Sequence, residues 1–466
     1  MKTLTLLVAA LVMAGCTSLA PDYRRPDAPV PGAWPALGAQ PIARAASAAA
    51  DRPWQQFFTD ERLRTLIGQA LAHNRDLRVA ALNIDRARAI YRVQQADRWP
   101  TLNAGATSTV QRTPAGLSGS GRAETSRRHD LAIGIASYEI DFFGRVRSMD
   151  DASLQLYLAT EQARRSAQIS LVAEVANAWL ALAADRERLL LAQETLDTQR
   201  SAFGLIRARV DAGVASQIDL HRAQTTVDAA RADLARYSTQ VAQDEHALAL
   251  LVGTRLAPEL MPDALVPVAT LDMLPAGLPS DVLQRRPDIL QAEHRLQAAN
   301  AHIGAARAAF FPSVTLTAGG GLASRALSDL FQGGAGAWTF VPQIVLPIFD
   351  GGRRRAGLEA AQAERDIAVA EYEGAIQRAF REVADVLAQR GTLGEQLDAQ
   401  LSLVAATSDA HRLSDVRFRQ GAHGYLEVLD AQREMVAAKQ ALIGARFTRL
   451  SNQVTLYKAL GGGWQS

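Results

Sequence analysis

The chain is 466 residues long, carries 50 Lys and Arg against 48 Asp and Glu for a formal net charge of +2, and is 48% hydrophobic. That length suits about three domains of ordinary size, and so balanced a charge gives no reason to expect a nucleic-acid partner. Its one cysteine excludes disulfides within the chain.

Lys2 supplies a positive start, Leu4 to Val12 an apolar stretch, and Met13-Ala14-Gly15-Cys16 a small-residue cleavage site, so residues 1–15 are predicted to be a secretory signal peptide. The stretch is too short to span a bilayer, and no later run reaches the roughly 18 apolar residues expected of a transmembrane helix. The site resembles a bacterial lipobox with Met13 in place of the usual Leu. The resemblance implies a covalent lipid on Cys16, and Thr17 after it suits outer-membrane sorting. Residues 16–53 hold Pro21, Pro26, Pro29, Pro31, Pro35 and Pro41, which forbid regular helix and predict an extended tether.

A first structural repeat is predicted over 54–257. It opens at Trp54 to Phe58 and continues with Leu63, Leu66, Ile67, Ala70 and Leu71 at helical spacing. Then comes a β-hairpin at about 101–141, with Leu102, Ala104, Ala106 and Val110 on one side of the first strand. In its second strand Leu131, Ile133 and Ile135 alternate with Ala132, Gly134 and Ala136. No proline occurs between Pro114 and Pro258, so Gly144 to Ala212 is predicted as a nearly continuous helix of about 100 Å. A turn at Gly213 to Ser216 leads to a second long helix ending near Leu251.

Prolines punctuate a linker over 258–280, and a second repeat fills 281–466 with a hairpin at about 313–348. There Val314, Leu316 and Ala318 alternate with Thr315, Thr317 and Gly319. Trp338, Phe340, Pro342, Ile344, Leu346 and Ile348 alternate with more polar positions. The duplication is explicit: Gly144-Arg145 recurs as Gly352-Arg353, Glu174-Val175-Ala176 as Glu382-Val383-Ala384, Gly213 as Gly421, Ala223-Gln224 as Ala431-Gln432, and Gly253 as Gly461. One gapless offset relates all these pairs, so a single unit used twice replaces the three-domain estimate. Four strands cannot close a barrel, and an open sheet in lipid leaves unpaired backbone groups at several kcal/mol each. Three chains would supply twelve strands, which fits a homotrimer better than a soluble sandwich or a solvated coiled-coil stalk.

Asn74-Arg75-Asp76-Leu77, Asp141-Phe142-Phe143-Gly144-Arg145, Leu283 to Asp288, Ala308 to Pro312, Leu429 to Arg433 and Tyr457 to Gly461 carry a resemblance over essentially the whole mature length. Together with Cys16, Pro21-Asp22-Tyr23 and Trp54 to Phe58, they resemble the TolC-like outer-membrane factor family, in its lipoprotein branch serving multidrug efflux. The resemblance implies a mostly α fold with a β-barrel part. A trimeric twelve-stranded outer-membrane barrel would continue into a twelve-helix periplasmic tunnel, with an equatorial belt of mixed structure.

The two interhelical turns are each followed by acids, Asp219 in the first repeat and Glu427 and Asp430 in the second. Leu426, Asp430 and Arg433 share one helical face. On its own this is an exposed ion pair worth a few tenths of a kcal/mol. The resemblance implies more: rings at Leu426 and Asp430 that constrict a periplasmic gate, with Arg433 holding it closed. Phe418 stands where relatives carry a tyrosine, which removes the hydroxyl from any latch there.

No His-Glu-x-x-His or Cys-His zinc pattern is present, and Gly319-Gly320-Gly321 lacks the Lys-Ser/Thr of a phosphate loop. No catalytic or metal site and no cofactor are therefore expected. Export energy must come from an inner-membrane transporter, bridged by a periplasmic adaptor protein. A proton-driven (RND) multidrug pump is preferred to the ABC transporter of a type I secretion system, and both to a poreless periplasmic scaffold.

Overall fold

A computed structural model describes residues 18–34, 52–269, 280–422 and 424–463. The expected signal peptide, Cys16, part of the tether and residues 270–279 of the Pro-rich linker lie outside the described residues.

Two short helices, α1 (Trp54–Phe57) and α2 (Glu61–His73), precede α3 (Arg75–Ala96) and the hairpin β1 (Leu102–Thr113) and β2 (Glu124–Glu139). The long helices α4 (Arg145–Asp211) and α5 (Gln217–Val252) complete the first repeat. The second supplies α6 (Pro287–Ala308), the hairpin β3 (Ser313–Ser324) and β4 (Gly336–Val345), and the long pair α7 (Arg353–Arg419) and α8 (Tyr425–Ala459). Both α4 and α7 have 67 residues, about 100 Å each at 1.5 Å per residue. Repeat-equivalent glycines mark where the long helices stop. Gly213 and Gly421 have φ of 75° and 77°, a left-handed backbone that a side chain would strain.

The chain divides into two compact units, and each draws on both repeats. One takes residues up to Asp27 with Ile84–Thr160 and Gln291–Tyr372; the other takes Ala28–Asn83, Glu161–Leu290 and the chain from Glu373 onward. The repeats at 54–257 and 281–466 are thus units of sequence, while the compact units interleave them. In the sheet the hairpin of one repeat pairs edge to edge with that of the other.

In the first unit the two hairpins join into one antiparallel sheet of order β1-β2-β3-β4. Its register pairs Leu102 with Ile135, Ala104 with Ile133 and Ala106 with Leu131 on one face. Across the other ladders, Ala318 meets Ile135 and Phe340, while Gly320 meets Ile133 and Trp338. The sheet borders a concavity of about 400 Å³ whose lining is mainly the alternate residues, among them Asn103, Thr107, Arg128, Asp130, Thr317 and Thr339, with Ile133, Ile135 and Trp338 of the other parity reaching its margin. The convex face is left apolar and open: Trp338 is 82% exposed and Ile344 71%. Strand β4 stops at Val345, short of the expected Ile348. Pro347 has no N–H to continue the ladder, and Ile348 and Phe349 beyond it are exposed.

The N-terminal segment of this unit lies against α6. Leu19 and Pro21 carbonyls accept from Arg307 (3.1 Å) and Asn300 (2.7 Å), and Arg25 donates twice to Glu293 at 2.8 Å. Residues 18–27 form no helix or strand, and two of their carbonyls are satisfied by the helix they follow.

The second unit has the principal core. Trp54, Phe57, Leu63, Leu66 and Ile67 pack with Val172, Val175, Trp179 and Leu180 of α4 and with Val454 and Tyr457 of α8. Phe57 and Tyr457 stack with centroids 3.9 Å apart. This explains a departure from expectation: α4 does contain an 18-residue window of mean hydropathy 1.4, long and apolar enough to cross a bilayer. It is 61% buried within the protein and serves as the core stripe. Arg286, 8% exposed, bonds Asp288 and Glu382 and donates to the Ala459 carbonyl, so its charge is not buried alone.

Strands β2 and β3 approach too closely for side chains at two points. A Cβ on Gly321 would lie 2.1 Å from the Leu131 carbonyl oxygen, whereas Gly320 has nothing within 4 Å. Gly321→Ala is expected to destabilise the sheet by about 1–3 kcal/mol through overpacking, while Gly320→Ala leaves the melting temperature within a degree or so of the parent. Parallel thermal unfolding of the two variants checks this.

Candidate functional site

The turn between α4 and α5 and the turn between α7 and α8 belong to the second unit and occupy equivalent places in the repeat. In the first, Ser216 is the N-cap of α5. Its hydroxyl accepts from the Asp219 N–H at 3.2 Å, and the Asp219 carboxylate reaches back to the Ser216 N–H at 3.3 Å and hydroxyl at 2.6 Å. This capping box satisfies two donors that every helix start leaves open. Asp219, expected as a gate acid, is therefore committed to the helix end. In the second turn the N-cap is Gly424, with no side-chain hydrogen bond.

Below the turns a small apolar cluster joins Ile206, Ala223, Phe418, Tyr425, Val428 and Leu429. Phe418 is buried and meets Tyr425 with centroids 5.3 Å apart. The Arg209 guanidinium sits 4.8 Å from the Phe418 ring centroid, a cation–π contact. Phe418 thus holds the turn by packing and needs no hydroxyl. Tyr425 brings one instead: its Oη is buried with no hydrogen-bond partner among the described residues. Burial pushes that hydroxyl up to about 12 and keeps it neutral.

Of the expected gate residues, Leu426, Glu427, Asp430 and Arg433 all lie on the exposed side of α8. Leu426 is 44% exposed, and Arg433 forms an ion pair with Asp430 one turn earlier. Leu426 and Arg433 also line a groove of about 450 Å³ between α8 and the α4–α5 pair, with Gln199, Arg222, Thr226 and Gln432 opposite or beside them. Asp430 is outside that lining. The structure therefore brings Leu426, Asp430 and Arg433 onto one strip, and sets Phe418 and Asp219 into the packing and capping of the turns.

Sequence reasoning does not single out Arg209, Tyr425 or the buried Gln432. Tyr425 is detectable, since the repeat offset places it opposite Gln217; a bulky ring where the other copy has an amide marks a place where the two turns differ. Arg209 carries no such signal, because its role depends on a ring more than 200 positions away.

The profile of the family described as outer membrane efflux protein matches residues 66–254 and, a second time, 278–462. The chain belongs to that family. It is 49% identical over 462 residues to the antibiotic efflux pump outer membrane protein ArpC of Pseudomonas putida, covering 99% of this chain and 95% of that one. The toluene efflux pump outer membrane protein TtgC, also of Pseudomonas putida, is equally similar, at 49% over the same coverage. The solved open state of the Neisseria gonorrhoeae MtrE outer membrane channel superposes with a TM-score of 0.86 at 38% identity, over 96% of this chain and 99% of the other. The protein is an outer-membrane protein, and the TolC-like fold that its motifs implied is the fold it has.

The unequal caps give a direct test. Ser216→Ala is expected to cost about 1 kcal/mol and to raise amide exchange in the first turn of α5, whereas Gly424→Ser should slow exchange at the start of α8. Site-resolved hydrogen exchange reads both; equal protection of the two turns in the parent protein would contradict the asymmetry.

Proposed function

We propose that this chain forms the outer-membrane exit duct of a tripartite multidrug and solvent efflux pump. The observation that carries the reading is an open four-stranded sheet, apolar on its convex face, in a chain alike over nearly its whole length to antibiotic and toluene efflux proteins. The free edges of β1 and β4 demand partners in lipid, and three chains would close twelve strands into a barrel. The concave face, with Asn103, Thr107, Thr317 and Thr339, then lines an aqueous passage. A periplasmic adaptor and a proton-driven inner-membrane transporter complete the pump. An ABC-driven secretion system uses the same kind of duct, but the relatives named for antibiotics and toluene favour small apolar cargo. A covalent lipid on Cys16 adds a second membrane attachment.

At the periplasmic mouth, three copies of Leu426 and Asp430 would meet about the axis. Three carboxylates there repel one another and attract cations, and each Asp430–Arg433 pair tempers that repulsion within its own helix. Opening moves the α7–α8 pair outward, the pair whose turn has no side-chain cap.

Replacing Asp430 and Arg433 together with Ala is expected to raise single-channel conductance in a planar bilayer while changing trimer stability by less than about 1 kcal/mol. Asp430→Ala alone should lower cation preference, since a negative ring is lost from the constriction. Unchanged conductance and selectivity in folded variants would return these residues to an ordinary surface pair.

Cys16→Ser, supplied with a cleavable signal, should abolish lipid attachment but leave a trimer in the membrane, because the barrel buries far more apolar area than acyl chains do. Membrane fractionation with crosslinking checks it, and a soluble monomer would sink the barrel reading.

A further inference from the structure

The hairpin end of the sheet carries cations that the duct does not use. Along the β1–β2 ladder one face reads Leu102–Ile135, Ala104–Ile133 and Ala106–Leu131, then Ser108–His129, Val110–Arg127 and Arg112–Thr125. Arg128 and Asp130 line the concavity, so Arg127 and His129, each one residue away, take the convex face, and Arg112 shares it by register. The acids of this ladder, Asp130 and Glu124, have concave parity.

The two faces also treat their arginines differently. Arg128 donates from Nε to both Asp130 oxygens at 2.9 Å. Arg112 and Arg127 are exposed and have no ion pair or side-chain hydrogen bond among the described residues. They are diagonal neighbours on adjacent rungs, about 7–8 Å apart at the backbone and within reach of one another's long side chains. Two uncompensated guanidinium groups so placed repel, unless one anion accepts from both.

Height along the sheet says which anion. From the rung Val314–Ile344 to Arg127 is about twelve residue steps, roughly 40 Å along the strands and about 30 Å of height at ordinary barrel tilt. That is the thickness of a hydrocarbon core. The apolar convex band ends where Arg127 and Arg112 begin, on the side of the hairpin tips.

We propose that Arg112 and Arg127 together bind the phosphate of an anionic glycolipid in the outer leaflet, at the level where its headgroup meets the acyl chains. This rests on the reading that the sheet spans the outer membrane with its convex face to lipid. Each guanidinium offers paired N–H donors to phosphate oxygens, the geometry for which arginine is suited.

The test titrates purified full-length protein with bisphosphorylated lipid A, with the same lipid dephosphorylated, and with inorganic phosphate, and follows bound ligand by native mass spectrometry. The parent should prefer the phosphorylated lipid, and the Arg112→Gln/Arg127→Gln double variant should bind it about thirtyfold more weakly. Arg128→Gln should bind it like the parent. Equal binding of dephosphorylated lipid, or full competition by inorganic phosphate at equal concentration, would overturn the lipid site. If Arg128→Gln weakens lipid binding and the double variant does not, the faces are reversed and the membrane reading itself fails. If neither variant changes binding while the double variant conducts like the parent in a planar bilayer, the duct stands and this site is overturned.

Discussion

A sheet of four antiparallel strands ends in two rows of backbone N–H and C=O groups, on β1 and β4, that the chain cannot pair for itself. In water those edges would be an aggregation hazard; in lipid they are intolerable at several kcal/mol per group. The rest of the molecule answers to that constraint. Alternation along each strand sorts Trp338, Phe340 and Ile344 to one face and threonines to the other, and glycines at β2–β3 let the sheet curl tightly enough to form an arc. An arc of this kind is one third of a closed ring.

Duplication supplies two helix pairs that share a plan but not their details. At the first turn a serine and an aspartate lock the helix start; at the second, glycine replaces the serine, and the acid that follows has no hydroxyl to complete the motif. Phe418, Tyr425 and Arg209 hold the second turn by packing and cation–π attraction instead. Two copies of one sequence thus diverge at the start of their second long helices. Elsewhere they keep the glycine stops that set helix length.

Much of this is legible in the sequence because the signals are local. Absence of proline over more than 100 residues, positive-φ glycines at a fixed offset and period-two alternation each report on a few neighbouring bonds, and they place the long helices within a residue or two. Alternation alone carries β4 too far, because it continues through Leu346 and Ile348 although Pro347 cannot extend the ladder. The apolar window of α4 escapes a search for unbroken runs because Glu174 interrupts it, and only the packing of Trp179 and Val175 against α1 and α2 shows what it is for. At the tip, the strip of Leu426, Asp430 and Arg433 follows from spacing. The true partners of Phe418 and Asp219 do not, since a capping box and a ring stack look like any acid and any aromatic until the chain is folded.

The stack of Phe57 on Tyr457 joins the first helix of the fold to its last. Synthesis runs in the other order: Trp54, Phe57 and Phe58 emerge some 400 residues before the ring that covers them. The part of the principal core that α8 supplies, Ile443, Leu450, Val454 and Tyr457, is therefore added last. A product cut short before Tyr457 leaves Phe57 without the ring that stacks on it, although the packing against α4 is already in place.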